Sequence, residues 1–200
     1  MSGWIPEPAD RHPWLAIDLH DRRLLGGLVI DWRDPPPARG FPLCGSNDGA
    51  GRRALRVTKQ AGGSRSHVCL PGTRTRHLRI ASGGPAGIRA LRWQGFEFSR
   101  SPEAFWHHVA AGGPRGWHPR WLMREQSLWT PAGIPDGRSC ALINEEGMIE
   151  VAEGSFSVEP FVEVNRRLFT WADVKLRQEL RDGWRPVPSV VWTTGEWTMQ

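Results

Sequence analysis

The sequence predicts an all-β fold, a β-sandwich followed by the start of a second β-rich region. Apolar and polar residues alternate over short stretches, and a period of two is the signature of a half-buried strand. Turns rich in Gly and Pro separate these stretches at regular intervals, which is typical of sandwiches. One segment, residues 101–111, has the pattern of a helix instead.

The first strands lie in WLAIDLHDRRLLGGLVIDW, residues 14–32. We expect two paired strands, separated by HDRR and GG. Their apolar rows face a core and consist of Leu15, Ile17 and Leu19 in the first strand and Leu28, Ile30 and Trp32 in the second. DPPPARG, residues 34–40, ends the pair because Pro lacks the N–H that a central strand needs. Asp18 and Asp31 then belong to the polar faces.

Short strands continue to residue 96. GSNDG, residues 45–49, has the Asn, Asp and Gly that tolerate the left-handed backbone of a tight turn. The strands that follow are LRVTKQ, HVCL, RHLRIAS and GIRALRWQGFEF, with the turn PGTRT between HVCL and RHLRIAS. In the last strand, Ile88, Leu91 and Trp93 are the expected core residues.

The helical segment is SPEAFWHHVAAGG. Ser101 is a good N-cap, Pro102 suits the first helical position, and Gly112 ends the helix. Phe105 and Val109 lie four apart and share one face. We therefore expect a linker helix that packs between two lobes.

The second half predicts further strands. They are RWLMREQSLWTPAG, CALIN, MIEVAE, SFSVEPFVEV, RLFTWADVKLRQEL and the hairpin SVVWTTGEWTMQ. The predicted domains are residues 1–96, a linker over 97–120 that holds the helix 101–111, and a β-rich second domain over 121–200.

Charge divides the chain at the same place. Residues 1–96 carry 15 Lys/Arg against 7 Asp/Glu, whereas residues 97–200 carry 11 against 14. No acid occurs between Asp48 and Glu97. This asymmetry indicates two segments with different surfaces, the first of them basic.

Membrane and disulfide signals are weak. No apolar run approaches the roughly 20 residues that span a bilayer, and no signal peptide is visible. Cys44, Cys69 and Cys140 lack metal-type spacing, so we expect structural thiols, with a Cys44–Cys69 disulfide as the alternative.

Four motifs in order resemble the discoidin domain, also called the coagulation factor five/eight type C domain. They are the strand WLAIDL, the strand LVIDW, the turn GSNDG and the strand TRHLRI. The resemblance implies a galactose-binding-like jelly-roll β-sandwich that binds ligands with the loops at one end. Only MSGWIPEPADRHP precedes Trp14, so we expect a sandwich truncated at its start and carry over no calcium loop. His20 stands where the family has Gly.

The remaining residues, 96–200, are similar to the region that follows the discoidin-like part of large bacterial multidomain proteins. The likeness lies in EFSRSPEAFWHHVAAGGPRGWHPRWLMREQSLWT, ALINEEGMIEV and FSVEPFVEVNRRLFTWADVKLRQELRDGWRPVPSV. Those proteins continue into sandwich and glycosidase-like helical-barrel regions. The resemblance implies a fragment of an exported or cell-surface protein, with the other domains of that protein as partners.

Several residue sets could carry chemistry. Asp18, His20 and Asp31 could bind a metal or move a proton, but zinc and iron sites need at least three converging ligands, and the alternation explains these residues as a polar face. His107 and His108 point about 100° apart on a helix. A glycosidase pair, two carboxyl groups roughly 5–10 Å apart, could be drawn from Glu125, Glu145, Glu146, Glu159, Glu163 and Asp173. We predict no metal, no cofactor and no catalytic residue.

The leading hypothesis is a non-catalytic carbohydrate-binding or accessory module of a larger bacterial glycan-processing protein. The expected ligand contacts are His20, Arg22, Arg23, Trp32, Arg39, Asn47 and Asp48. Further candidates for stacking on sugars are Trp4, Trp117, Trp121 and Trp184. Two alternatives stay open. One is a fragment of a glycoside hydrolase. The other is a binder of acidic polysaccharide or nucleic acid through basic residues 49–96, with nucleic acid less favoured because the arginines are dispersed.

Overall fold

The computed structural model describes residues 3–34, 40–62, 64–82, 86–134 and 136–200. The chain forms two compact units, Met1–Val109 and Ala110–Gln200. Antiparallel strands dominate both units. The prediction of an all-β chain is therefore confirmed. Within these described ranges, no helix is long and apolar enough to cross a bilayer.

In the described part of the first unit there are six strands, a 3₁₀ turn and most of a helix. The strands are β1 (Trp14–Trp32), β2 (Leu43–Ser46), β3 (Arg53–Ala54), β4 (Thr58–Gly62), β5 (Arg65–Ala81) and β6 (Ile88–Gln94). The 3₁₀ turn spans Phe96–Ser99, and the helix α1 spans Pro102–Ala111.

The two longest strands, β1 and β5, pair along most of their length. Residues 14–18 of β1 pair with residues 77–81 of β5, and residues 27–31 of β1 pair with residues 65–69. The expectation that β1 contains two strands paired with each other is therefore wrong. The turn expected at PGTRT is also absent, since β5 runs through it. The alternation of apolar and polar residues is the same in a hairpin and in one long strand, so the sequence did not distinguish the two.

Irregular backbone in both strands marks where they bend. The β1 register breaks between Asp18 and Arg23, and His20 there adopts a left-handed backbone with φ 66°. A second break lies between Leu25 and Gly27, opposite a stretch of β5 in which Gly72 has φ 61°. A left-handed φ is costly for a side chain with a Cβ, so His20 adopts a strained backbone.

The halves of β1 and β5 belong to different layers. One layer has the order β3-β2-β5-β1, and the other has the order β4-β5-β1-β6. Both layers face one core, whose buried members are Leu19, Leu25, Leu28, Ile30, Trp32, Phe41, Leu43, Val68, Leu70, Leu78, Ile80, Ala86 and Ile88. The first unit is thus a two-layer sandwich, made from one hydrogen-bonded sheet folded over its own core.

The helix α1 packs on the first unit. Ser101 caps it, accepting a hydrogen bond from the Ala104 N–H at 3.1 Å. Phe105 and Val109 are buried against Val29 and Phe98, as their spacing predicted. Phe105 and Val109 of α1 therefore pack on the first unit, which extends to residue 109, beyond the predicted domain end at 96.

The second unit contains nine strands among the described residues. They are β7 (Trp129–Ala132), β8 (Ala141–Asn144), β9 (Ile149–Glu150), β10 (Ser157–Val158), β11 (Val162–Val164), β12 (Arg167–Phe169), β13 (Lys175–Arg181), β14 (Arg185–Thr193) and β15 (Thr198–Met199). Three sheets have the orders β10-β9-β8-β7, β11-β12 and β13-β14-β15. A core of Trp171, Val190 and Trp192 holds the unit together.

Several local expectations differ from the structure. Arg120–Met123 forms a 3₁₀ turn at the start of the predicted strand RWLMREQSLWTPAG. Another 3₁₀ turn, Trp171–Asp173, interrupts the strand expected over RLFTWADVKLRQEL, because Thr170 and Asp173 form a capping box. Trp93 is 53% exposed rather than buried. All three cysteines are free thiols, so the alternative of a Cys44–Cys69 disulfide is not realised.

Candidate functional site

One outward sheet face of the first unit surrounds an aromatic ring with polar groups. Because side chains alternate along a strand, Trp14, Ala16 and Asp18 point away from the core that Leu15 and Ile17 contact. Neighbouring strands and one turn extend this surface. We call it the Trp14 face, defined by Trp14, Cys44, Ser46, Arg52, His77 and Arg79.

Trp14 and Arg79 form the centre of the Trp14 face. The Trp14 side chain is 43% exposed, although it lies in a regular strand. The Arg79 guanidinium carbon sits 4.1 Å from the ring centroid, a cation–π contact. This contact holds both side chains in place and keeps part of the indole in solvent.

The turn after β2 borders the face and is held by its own side chains. The Ser46 hydroxyl donates to Asp48 Oδ1 at 2.8 Å and accepts from the Gly49 N–H at 2.9 Å. Asp48 Oδ1 also accepts from the N–H groups of Ala50 and Gly51. The Ser46 hydrogen bond and these backbone donors hold the pKa of Asp48 below its ordinary value. The carboxylate therefore fixes the turn that presents Arg52.

Two adjoining hollows open on this surface. One, of about 80 Å³, is lined by Trp14, His77 and Arg79 together with Ser46 and Arg52. The other, of about 290 Å³, is lined by Asn47, Asp48, Arg53 and Thr75, and it shares Gly45, Ser46 and Arg52 with the first. Together they form an open depression with both polar and apolar lining beside an exposed indole.

Asp18 closes one side of the Trp14 face. Arg76 donates to both of its carboxylate oxygens, at 3.0 and 2.9 Å, and His77 Nδ1 lies 3.7 Å away. The hydrogen bonds from Arg76, followed by that from the His20 N–H, hold the pKa of Asp18 well below its ordinary range. Asp18 is therefore an ionised, neutralised partner of Arg76 rather than a proton donor.

Of the three predicted contact loops, the GSNDG turn lines the hollows of this site, and the HDRR segment begins two residues after Asp18 at its edge. Ser46 pairs with His77, and His77 pairs with Asp18, so the GSNDG turn and the HDRR segment flank β5 on its two sides. Two interstrand spacings separate them, roughly 10 Å. His20, Arg22 and Arg23 are exposed in HDRR, as is Asn47 in the turn.

Of the other two predicted contacts, Trp32 does not join this site. Trp32 has no exposed surface, donates from Nε1 to Ser66 Oγ at 2.9 Å and packs on Phe41 with ring centroids 5.0 Å apart. The indole of Trp32 belongs to the core, so it is not accessible to a ligand. Arg39 lies outside the described residues. Of the further stacking candidates, Trp117, Trp121 and Trp184 are exposed, in the second unit.

Asp18, His20 and Asp31 do not converge. Asp31 pairs with Arg65 at 2.6 Å and with Arg92 at 2.8 Å, far along β1 from Asp18. Burial opposes ionisation of Asp31, but the two arginines lower its pKa overall. Within the part of the chain that the structure describes, no group of three or more His, Cys, Asp or Glu side chains could hold a metal ion.

A buried carboxylate organises the second unit. Glu146 has no exposed surface, pairs with Arg120 and accepts from Asn144 Nδ2 at 2.8 Å. Its backbone carbonyl accepts from Trp192 Nε1 at 2.7 Å. Arg120 also lies over the Trp171 ring, 4.9 Å from its centroid. Burial raises the pKa of Glu146 against the opposing effect of Arg120.

Glu159 is a second unusual carboxyl group in that unit. Its Oε1 atom is buried and has no hydrogen-bond partner among the described residues. Burial, and next the charge of Glu146, raise the pKa of Glu159 to about 7. The other carboxylates named from the sequence have ordinary roles. Glu125 pairs with Arg115, and Asp173 caps a turn.

Sequence reasoning missed the Trp14 and Arg79 pair, although a signal for it was present. Leu15, Ile17 and Leu19 form the core row, so the same alternation places Trp14 outward. It also places Trp32 inward with Leu28 and Ile30. The contact of Arg79 with Trp14 depends on the pairing of β1 with β5, which the sequence does not display.

The first unit is thus a β-sandwich with an open, basic and partly aromatic surface. Comparisons with protein-family models, with curated proteins and with solved structures found no match for this chain.

Proposed function

We propose that the first unit is a non-catalytic carbohydrate-binding module that contacts its glycan through the Trp14 face. The observation that carries this proposal is the 43% exposed indole of Trp14 in a hollow that the polar side chains of Ser46, His77 and Arg79 also line. An indole stacks on the apolar face of a sugar ring, while hydroxyl, imidazole and guanidinium groups bond its hydroxyls.

A discoidin-like jelly roll is the fold that we propose for this unit. The four ordered motifs support it, and a two-layer sandwich is the kind of fold that the resemblance implies. The surroundings of the candidate site also favour binding without turnover. The nearest carboxylates, Asp18 and Asp48, are occupied by Arg76 and by the turn, so neither is placed to act as a general acid or base.

A glycoside hydrolase fragment has less support. Glu159 has the raised pKa that a general acid needs. However, Glu146, the carboxylate whose charge acts on it, has no solvent-exposed surface. A hydrolase needs a second carboxyl group that reaches the sugar. We therefore keep this function as the alternative and accessory binding as the proposal.

The proposal is tested by screening the complete chain on a glycan array and measuring the best ligand by calorimetry. Trp14→Ala is expected to weaken binding at least about tenfold, since truncating an aromatic anchor costs roughly 2 kcal/mol. Trp93→Ala is the matched control, because Trp93 is an equally exposed indole on β6, outside the hollow. Absence of any glycan ligand, or equal effects of the two variants, would refute the proposal.

A further inference from the structure

We propose that the glycan is acidic and that Arg79 and Arg52 bind its carboxylate or sulfate group. This inference rests on the proposed function, since it names the ligand class of the same surface. It depends on which arginines of the first unit already have acidic partners.

Two acids of the first unit, Asp18 and Asp31, are already paired with other arginines. Arg76 takes both oxygens of Asp18, and Arg65 and Arg92 share Asp31. Asp48 is exposed, and its Oδ1 atom accepts the hydrogen bonds of its own turn. Within the described residues, Asp48 forms no ion pair with Arg79 or Arg52, so these two cations remain available to an acidic ligand.

Arg79 is one of these cations. It makes no ion pair with any described carboxylate, and its guanidinium carbon lies 4.1 Å from the centroid of the Trp14 ring. A guanidinium that lies on an aromatic ring still directs its N–H groups outward in its own plane. These edges match the two oxygens of a carboxylate or sulfate. The Trp14 ring therefore holds Arg79 in place to bind an acidic group.

Arg52 is the second cation, and it follows the turn that Ser46 and Asp48 stabilise. It is exposed, pairs with no carboxylate of the described ranges, and lines both hollows. The hydrogen bonds of Ser46 and Asp48 fix the backbone that carries it. His77 also lines the smaller hollow, together with both arginines. An acidic group there would meet donors from two sides.

The size of this cationic site favours an acidic saccharide over nucleic acid. Nucleic-acid binders neutralise several phosphates along an extended track. Here two arginines and one indole converge on a hollow of about 80 Å³, which suits one acidic group beside one ring. A basic surface that only contacts solvent does not require two arginines to lie beside an exposed indole.

The test compares polysaccharides that differ only in acidic groups, with the complete chain as the binder. The probes are polygalacturonate and alginate, each beside its carboxyl-reduced form, and dextran sulfate beside dextran. We expect binding to acidic members and at least about tenfold weaker binding to their neutral partners, as expected for charge-assisted hydrogen bonds. A single-stranded DNA oligonucleotide serves as the nucleic-acid probe.

Arg79→Gln and Arg52→Gln are each expected to weaken acidic binding about tenfold or more. Arg89→Gln is the matched control, since it removes the same charge from an exposed position on β6. It should change affinity less than about twofold. Arg52→Gln keeps the test valid if Arg79→Gln fails to fold, because Arg52 lies in an exposed turn.

Different failures point to different conclusions. Equal binding of neutral and acidic partners, sensitive to Trp14→Ala but not to Arg79→Gln, would overturn the acidic ligand and leave the carbohydrate module standing. Binding to no polysaccharide would overturn both proposals. Tighter binding to the DNA probe, falling steeply with salt, would also overturn the acidic glycan.

Discussion

The partly buried carboxyl group of Glu159 makes the second unit less stable as pH rises. Its pKa moves from the ordinary 4.5 to about 7. Between these values the folded unit binds more protons than the unfolded chain, so stability falls with rising pH and levels off above 7. Each pKa unit corresponds to 1.36 kcal/mol, which gives an upper limit of about 3 kcal/mol. Because Glu159 keeps some solvent contact, roughly 2 kcal/mol is the expected effect.

Glu159→Gln removes the charge and keeps the size of the side chain. The variant is expected to exceed the wild-type free energy of unfolding by roughly 2 kcal/mol at pH 8 and by much less at pH 5. Urea unfolding between these pH values measures the difference. Glu163→Gln is the control, because Glu163 is an exposed residue of β11, and it should leave stability unchanged at every pH.

A direct titration decides whether the reasoning is sound. The side-chain carbon of Glu159, followed by NMR, should show a midpoint near 7. A midpoint near 4.5, or a variant no more stable than wild type at pH 8, would show that burial does not disfavour this charge.

Two further predictions concern single side chains. Arg120→Met should lower the free energy of unfolding by roughly 3 kcal/mol or more, because it leaves the buried Glu146 carboxylate without its cation. Adding Glu146→Gln should recover part of that loss in a double-mutant cycle, and strict additivity would contradict a direct pair. His20→Gly should raise the free energy of unfolding by about 0.5–1 kcal/mol, because Gly adopts the left-handed φ of 66° without cost. A lower melting temperature for His20→Gly would show that the imidazole makes an unrecognised contact.

The alternation of apolar and polar residues along the sequence predicted much of the fold. It identified the inward rows of β1, and the capping and spacing signals placed α1 within one residue of its observed start. It did not distinguish a hairpin from a bent strand, because GG and HDRR suit both. The left-handed backbone at His20 bends β1 without reversing it.

The candidate site was only partly predictable, for a related reason. The turn chemistry of GSNDG marked one border of the hollow correctly as a turn. Trp14 and Arg79 are far apart in sequence and meet only through strand pairing. The buried contact of Arg120 with Glu146 likewise joins residues 26 apart, on segments with no shared pattern.

The sheet of the first unit, which folds over its own core, limits the order in which its strands can pair during synthesis. Asp31 and Arg65 are 34 residues apart, and Asp18 and Arg76 are 58 apart. At ~5–20 residues per second, β1 leaves the ribosome seconds before its partner exists. Each layer needs a different half of β5, and the layer that contains β6 can be completed only after Ile88–Gln94 has been made. The apolar row of β1 thus waits unpaired in the nascent chain, the state in which a strand is most open to aggregation or to chaperone binding.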